Sequence, residues 1–462
     1  MYRSVYNGSL MAELQRGALV VFVSDTHIGG DPGCDGFESP AELQALFEDL
    51  AGYQDGPVEL VLAGDFFDFL QISETPDGSN KASLTLDRHE YRNMFEALRK
   101  FNGGKERRVI YLPGNHDAEA WWNPEIQKTL RERGLVDDFA FSYSACFVEG
   151  EKRWRVYCEH GNQFDAANTI EDYEDRLDTP LGHHVVMDFT RRVAPFGEVA
   201  RGLDMSEIKN VYPLVAIPKW IASRYFYNAI SMVAAYLLAP ILLAYAIYRV
   251  VAYVVAVAEN DPVRFFGSYQ ELPRLHEMFI DIGIFAFLTL LIFAIFFFVV
   301  RRAVRRALSA ADFEKRKHYS PAEASENRVR EILQGAAVPP MGRSVEDETM
   351  DVFVSGHTHL PSLFELERSN GERRRVAVNS GCWLRQLQPV SPRLKGPPVF
   401  VSKFVLTHVR VYVKDSSLHV ELWDHPKPAE QHLTRTERLL SWNRRPPQPS
   451  ASSKHRRASS IL

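Results

Sequence analysis

The chain has 462 residues, 45% hydrophobic and 24% charged, which suits a folded globular protein and leaves room for two or three domains. Its formal net charge of −5 supplies no global field toward nucleic acid, so no nucleic-acid partner is expected. The cysteines Cys34, Cys146, Cys158 and Cys382 have no short paired spacing, which argues against a zinc ribbon or a disulfide framework and fits a reducing compartment.

Met1 to Arg16 is polar and lacks the apolar core of a secretory signal. Ala18 to Ser24 reads as a buried strand that runs into Asp25-Thr26-His27. Pro40 to Ala51 has helical spacing, with Ser39 as its N-cap. Val58 to Ala63 is a second buried strand, leading to Gly64-Asp65-Phe66-Phe67-Asp68, and Asp87 to Phe101 an amphipathic helix. Val109 to Leu112 is a third strand, broken by Pro113-Gly114 into Asn115-His116-Asp117. Pro124 to Arg133 is helical. Phe139 to Val148 and Trp154 to Glu159 alternate as an antiparallel pair, the second ending in His160-Gly161-Asn162.

The composition then changes. Tyr225 to Tyr248 carries no charge, and the apolar character continues past Arg249 to Ala258. Ile282 to Val300 is again uncharged and ends in Arg301-Arg302-Ala303-Val304-Arg305-Arg306. A bilayer core takes about 20 apolar residues, so two transmembrane helices are expected, over about 225–258 and 279–300. Pro240 is tolerable in such a span, and Arg249 is expected to snorkel to the interface. A pair of buried core helices in a soluble enzyme is the competing reading. Lys219 and Arg224 precede the pair, and the arginine cluster with Lys315, Arg316 and Lys317 follows it. The connecting loop, Glu259 to Asp281, holds only Arg264 and Arg274. Positive flanks place both outer ends in the cytoplasm, giving a two-span membrane protein with one cytoplasmic catalytic domain. The arginine cluster is expected to fix topology and to contact anionic membrane lipids. His183, His184 and Asp188, ahead of the first span, are candidates for a substrate lid or an ordinary polar helix face.

Ser320-Pro321 opens a helix to about Leu333. Met350 to Ser355 is a strand ending in Gly356-His357-Thr358-His359, and Arg375 to Asn379 another, ending in Ser380-Gly381-Cys382. Val405 to Val413 and Leu418 to Trp423 look like a closing hairpin. The tail from Arg435, rich in Pro, Ser and Arg, is expected to be disordered.

Taken singly, each polar cluster reads as a turn, a cap or a satisfied histidine. Together they stand at the ends of buried strands, where open α/β sheets place their chemistry. Two divalent ions held about 3.5–4 Å apart need a bridging carboxylate with imidazole and oxygen ligands; they make a hydroxide nucleophile near neutral pH and neutralise phosphate oxygens. Alternate residues of an extended segment, Asp25 with His27 and His357 with His359, point the same way. Mixed oxygen and nitrogen donors without thiolate favour manganese, iron or zinc over calcium, with manganese first.

At these residues the chain resembles the calcineurin-like metallophosphoesterases, whose pattern is Asp-x-His, Gly-Asp-x-x-Asp, Gly-Asn-His-Asp/Glu, a later His, and Gly-His-x-His. All five blocks are present in order, within residues 18–165 and 350–425. The resemblance implies an α/β fold, a four-layer αββα sandwich with metals at the sheet edge, here interrupted by an inserted helical transmembrane hairpin. The expected division is a first core part at 1–165, an insertion at 166–345, a second core part at 346–434 and a basic tail at 435–462. Carried over by position, Asp25, His27, Asp65 and His359 would hold a first metal. Asp65, Asn115, His160 and His357 would hold a second, with Asp65 bridging. His116 would face the phosphate as general acid or electrostatic stabiliser, Asp117 would orient His116, and Asp68 would steady the loop carrying Asp65.

Departures narrow the substrate class. Phe69 and Pro113 stand where Ser/Thr protein phosphatases carry arginines, and Phe67 and Asp68 where purple acid phosphatases need a tyrosine ligand. The membrane-associated UDP-2,3-diacylglucosamine diphosphatases look similar in architecture, with a block resembling His160-Gly161-Asn162 but usually Arg in place of His116. The expected activity is hydrolysis of a phosphate ester or diphosphate, with lipid-linked and nucleotide-diphosphate substrates as candidates. A non-catalytic membrane scaffold and a DNA-repair-type nuclease are the alternatives.

Overall fold

Near-continuous apolar runs suit strands covered on both faces. β3 (Leu19–Val23) is wholly apolar, β4 (Val58–Ala63) is apolar but for Glu59, and β5 (Arg107–Leu112) is apolar from Val109; they pair in parallel in that order. In the computed structural model they form the middle of one sheet. β6 (Asp138–Phe139) extends it on one side. On the other side β13 (Val399–Lys414) pairs antiparallel with β3, followed outward by β14 (Ser417–Asp424) and β15 (His455–Ile461). β12 (Trp383–Val390) also pairs with β13, along its first half. The structure describes residues 3–6, 8–32, 34–184, 187, 205–213, 216–259, 275–310, 320–341, 350–366, 374–393, 396–442, 445 and 454–462.

The second sheet runs β1 (Arg3–Tyr6), β2 (Ser9–Gln15), β7 (Ser142–Glu149), β8 (Lys152–Cys158), β9 (Val352–Ser355), β11 (Arg375–Asn379) and β10 (Ser362–Leu366). β8, β9 and β11 are parallel neighbours, so the chain returns after the insertion to the strand beside the one it left. The sheets face each other across one core that includes Phe22, Val61, Ile110, Tyr143, Val156 and Val354. Helices α1 (Pro40–Ala51), α2 (Lys81–Leu86), α3 (Arg92–Asn102), α4 (Glu119–Trp122) and α5 (Pro124–Glu132) follow in chain order. The outer face of the first sheet packs on α1, α3 and α5 through Phe47, Phe101 and Leu130. The outer face of the second packs on the helix Pro321–Leu333 through Val329 and Ile332. This is the expected four-layer αββα sandwich.

Two details of the expected elements change. β1 and β2 come from the N-terminal stretch that carried no strand expectation, β2 pairing in parallel with β7. The tail is not disordered where it is described. Helix Arg435–Ser441 has a capping box between Thr434 and Glu437, and β15 pairs with β14. The free edge of β14 supplies the partner that a polar, basic segment cannot supply for itself.

The insertion contains two long apolar helical stretches, Ile217–Glu259 and Leu275–Arg302, both long and apolar enough to cross a membrane. The first starts before the charge-free stretch and is continuous, with a π-helical turn at Ala234–Leu238. Its first turns are welded to the core. Trp220 packs on Leu387 and Phe400, and Phe226, Tyr227 and Ile230 pack on Val399 and Val401. Arg224, expected as a flanking charge, is instead tied to Glu207 and lies 3.7 Å from Glu437. Beyond the weld the helices turn apolar residues outward, Tyr236 being 81% and Ile292 68% exposed. Arg249 is buried rather than extended into solvent. It pairs with Asp281, which sits inside the second helix rather than in the loop, and Tyr245 stacks on Phe285 one turn away. Two unlike charges inside one apolar helix pair are held together because each is the other's best available solvent. Asp188, Arg264, Arg274, Lys315, Arg316 and Lys317 lie outside the described residues.

Candidate metal centre

β3, β4 and β5 in one sheet and β8 and β9 in the other end at a common edge, because their registers are flush: Val23 opposite Leu62, Ala63 opposite Leu112, Cys158 opposite Val354. The loops leaving these ends carry Asp25/His27, Asp65/Asp68, Asn115/His116/Asp117, His160 and His357/His359. Backbone bonds stitch the loops to one another. Asp25 N donates to Gly64 O (3.1 Å), His27 N to Asp65 O (3.0 Å) and Gly356 N to His160 O (2.8 Å). Gly114 and Gly356 are required by close approach. A Cβ at Gly114 would overlap the Asp65 carboxylate, and one at Gly356 the Ser24 and Asp25 side chains.

The structure gathers six of the seven candidate ligands into two clusters, with a third group, His27, Asp68 and His116, beside them. Asp25, His27 and His359 form one, and Asp65, His160 and His357 another. His359 Nε2 is 3.2 Å from both His27 Nε2 and Asp25 Oδ1. Asp65 Oδ2 lies between the clusters, 3.7 Å from His27 Nε2 and 3.3 Å from His160 Nε2. Its other oxygen accepts from His116 N at 2.8 Å.

The donor set fits a bound cation by a test internal to the structure. Buried polar atoms are normally hydrogen-bonded. Asp25 Oδ1, Asn115 Oδ1 and His160 Nε2 are buried and make no well-directed hydrogen bond. Each is an atom its residue would offer to a metal. His160 Nδ1 is engaged with Ala63 O at 2.9 Å, which leaves Nε2 as the lone-pair donor, while Asn115 turns its amide nitrogen to Asn168 Oδ1 at 3.5 Å. The electrostatics agree. Burial pulls the His160 imidazole down, but Asp65 and Asp25 outweigh it and hold it up at about 10. Burial likewise opposes ionisation of Asp65, yet His160 and His116 keep that carboxyl well below its ordinary value. This concentration of carboxylate charge attracts cations, and metal binding would displace the imidazole protons.

His116 has its Nδ1 on Asp68 Oδ1 at 3.0 Å and its ring edge-on to His27 at 4.5 Å. The nitrogen left for a substrate oxygen is Nε2. The expected roles of Asp117 and Asp68 are therefore exchanged. Asp117 does not orient His116. It is fully buried and accepts from Gly114 N (2.6 Å), Phe66 N (2.8 Å) and Tyr111 Oη (2.5 Å), with Asp65 N and Phe67 N at 3.3 Å. It is the pillar of the loop that carries Asp65. Asp68 takes the orienting place, because the 3₁₀ turn Phe69–Gln71 that follows it leaves its carboxylate against the two imidazoles.

Two contributors went unread in the sequence. Asp165 accepts from His357 Nε2 (3.2 Å) and from Asn168 Nδ2 (2.7 Å), so Asp165 and Asn168 link His357 to Asn115 across the second cluster. Five residues after His160 in a Gly-Asn-Gln-Phe-Asp run, Asp165 carries no motif spacing that would single it out. Of the proposed lid residues, His184 Nε2 lies 3.1 Å from Thr179 Oγ1, and His183 and His184 stand on an exposed turn, Leu181–His184. Neither joins a ligand cluster.

Comparison with known proteins agrees with this geometry. Residues 18–192 match the family model described as calcineurin-like phosphoesterase. The match covers the first four blocks, and the sheet topology brings the fifth, His357 and His359, to the same edge. Among solved structures, the chain is similar to the phosphopantetheinyl hydrolase PptH from Mycobacterium tuberculosis, at 11% identity and a TM-score of 0.25, over 79% of this chain and 90% of that one. A superposition that slight carries no argument about chemistry. No curated protein matches the chain.

Proposed function

We propose that the chain is a membrane-anchored phosphoesterase that uses two divalent cations, manganese first, to hydrolyse a phosphate ester or diphosphate bond. The observation that carries the reading is the trio of buried, unsatisfied donors, Asp25 Oδ1, Asn115 Oδ1 and His160 Nε2, around the shared Asp65 carboxylate. Asp25, His27, Asp65 and His359 would hold one ion, and Asp65, Asn115, His160 and His357 the other. When bound, the pair supplies a hydroxide nucleophile near neutral pH and neutralises phosphate oxygens. The chain's own residues do the rest. Asp65 sets the spacing of the two clusters through Oδ2. His116, protonated and held by Asp68, presents Nε2 to a phosphoryl oxygen and stabilises the charge that develops there, or gives its proton to the leaving oxygen. Asp165 and Asn168 keep His357 and Asn115 turned inward.

Membrane anchoring is supported by outward apolar faces on two helices, the second 28 residues or about 42 Å long, more than a hydrocarbon core of about 30 Å. The two ends of the pair return to one core, so the catalytic halves lie on one side, the cytoplasmic side by the arginines that follow Val300. A substrate that shares the bilayer, a lipid-linked phosphate or diphosphate, suits this placement.

Purified chain with manganese is expected to hydrolyse bis-p-nitrophenyl phosphate or the corresponding monoester. Asp65→Ala and His357→Ala are expected to abolish that turnover. Full activity in metal-free protein would overturn the mechanism, and a reporter within 260–274 detected on the cytoplasmic side would overturn the topology.

A further inference from the structure

His359 is the first-cluster ligand least fixed by burial. Its side chain is 22% exposed, against 7% for His27 and 0% for Asp25. Both histidines of its loop have left-handed backbone, His357 at φ 63° and His359 at φ 55°, so the loop has left the strand geometry that would otherwise hold it. Contacts at the rim must then set where the ring points.

One of those contacts comes from the insertion. The Tyr212 ring stacks on the His359 ring, centroids 6.0 Å apart and planes at 21°. The Tyr212 hydroxyl donates to the carbonyl of Thr358, the residue between the two histidines. Tyr212 is itself anchored. Its N donates to Leu387 O at 3.0 Å, and Val211 and Leu387 form an isolated parallel bridge. Ile208, Val211, Trp220, Leu387 and Phe400 make one buried cluster around it. Trp220 belongs to the first turns of the apolar helix. A continuous packed path therefore runs from the base of that helix through Val211 and Leu387 to Tyr212 and on to His359. The same strand reaches the loop from the other side, Gln386 Nε2 donating to His359 O at 3.2 Å.

We propose that Tyr212 is a positioning residue for His359, so that the insertion completes the first metal cluster as well as anchoring the chain; this rests on the two-cation reading above. The hydroxyl pins the backbone of the loop through Thr358, and the ring limits rotation of the imidazole, leaving Nε2 toward Asp25 and His27. Among the described contacts the Tyr212 ring meets His359 and not His357, so the larger effect falls on one ion.

Manganese titration of the full-length chain in detergent, stripped of metal beforehand and followed by the electron paramagnetic resonance of free Mn²⁺, resolves the two sites. His359→Ala and His357→Ala identify which affinity belongs to which cluster. Tyr212→Ala is expected to weaken the His359 site roughly 10–100-fold, the range for residues that orient ligands, and the His357 site markedly less. Tyr212→Phe keeps the ring and loses the bond to Thr358, and a loss of a few-fold at the same site is expected; it also serves should Tyr212→Ala not fold. The melting temperature of the metal-free protein is expected to fall by only a few degrees in Tyr212→Phe, since a single hydrogen bond is lost. Unchanged affinity at both sites in the variants, or equal weakening at both, would overturn the role of Tyr212 while the two-cation reading stands. A wild-type chain that binds fewer than two Mn²⁺ would overturn both.

Discussion

The exchange of roles between Asp68 and Asp117 makes the sharpest test of the site. In Asp68→Asn the carboxylate that meets His116 Nδ1 at 3.0 Å becomes a neutral amide. Hydrogen bonds to charged groups contribute about 1.5–3 kcal/mol, and each 1.36 kcal/mol is tenfold in rate, so kcat should fall roughly 10- to 150-fold at saturating manganese. The pH profile adds an independent sign. Burial pulls the His116 imidazole down, but Asp68 and then Asp65 outweigh it and hold it at about 9. That value holds without cations; bound manganese beside Asp65 would lower it, and activity that needs protonated His116 is lost as pH rises through the lowered value. Removing Asp68 lowers it, so the alkaline limb of the profile moves to lower pH. Asp117→Asn should behave differently. The new amide would turn N–H groups toward Gly114 N or Phe66 N, both donors, and the loop carrying Asp65 would lose its support. A lower melting temperature and lost metal binding are expected, not a folded enzyme with a shifted pH limb. The assay is hydrolysis of bis-p-nitrophenyl phosphate across pH, beside thermal unfolding. Wild-type kcat in Asp68→Asn, or a stable Asp117→Asn with a shifted alkaline limb, would return the roles to those the motif spacing suggests.

Glu59 is 1% exposed between the sheets, accepts from Tyr143 Oη at 2.5 Å, and is pushed by burial from 4.5 to about 7. A carboxyl raised in the fold stabilises most below its unfolded value, so stability should fall by roughly 3 kcal/mol as pH rises from about 4.5 to 7. Glu59→Gln should gain melting temperature relative to wild type between pH 5 and pH 8, and a difference that does not change with pH would refute the assignment. In the hairpin, Asp281→Ala leaves the Arg249 guanidinium without its carboxylate, an unfavourable change of about 3–5 kcal/mol where buried pairs are broken. Less chain should resist carbonate extraction from membranes, and the exchange Arg249→Asp with Asp281→Arg should restore it; wild-type extraction behaviour in Asp281→Ala would show that the pair does not hold the hairpin.

How much of this was legible in the sequence follows from where each signal lives. Asp25, His27, Asp65, Asn115, His160, His357 and His359 each follow a short apolar run, so residue type and strand end are read together, and the edge where they meet follows from parallel pairing. Long charge-free segments likewise announce themselves. Side-chain direction does not. Asp68 and Asp117 stand at similar spacing from their motifs, and only the 3₁₀ turn after Asp68 and the Tyr111 hydroxyl below Asp117 decide which meets His116. Contacts made across the insertion are invisible for a different reason. Tyr212, Asp165 and the Arg249–Asp281 pair acquire their roles from partners far along the chain, as does β15, whose sequence resembles a solvated tail until β14 offers an edge.

Strain shows whether the site is made by the fold or by the metal. Asp25, His27, Asp65, His357 and His359 all have positive φ, between 50° and 63°. Each such residue costs on the order of 1–3 kcal/mol, so together they rival the net stability of a domain. The offset comes from the fully buried strands β3, β4, β9 and β11 behind the loops and from the backbone bonds that join the loops, Asp25 N to Gly64 O and His27 N to Asp65 O. If the frame holds the loops, removing the cations leaves the ligands in place. Chelation should then abolish turnover yet preserve the near-ultraviolet circular dichroism. The melting temperature should fall only as far as mass action on the bound ions requires, by RT ln(1 + [M]/Kd) in free energy, and readdition of manganese should restore activity without a refolding lag. Collapse of the near-ultraviolet signal on chelation would mean that the ions, rather than the sheets, keep the five residues in their strained conformation.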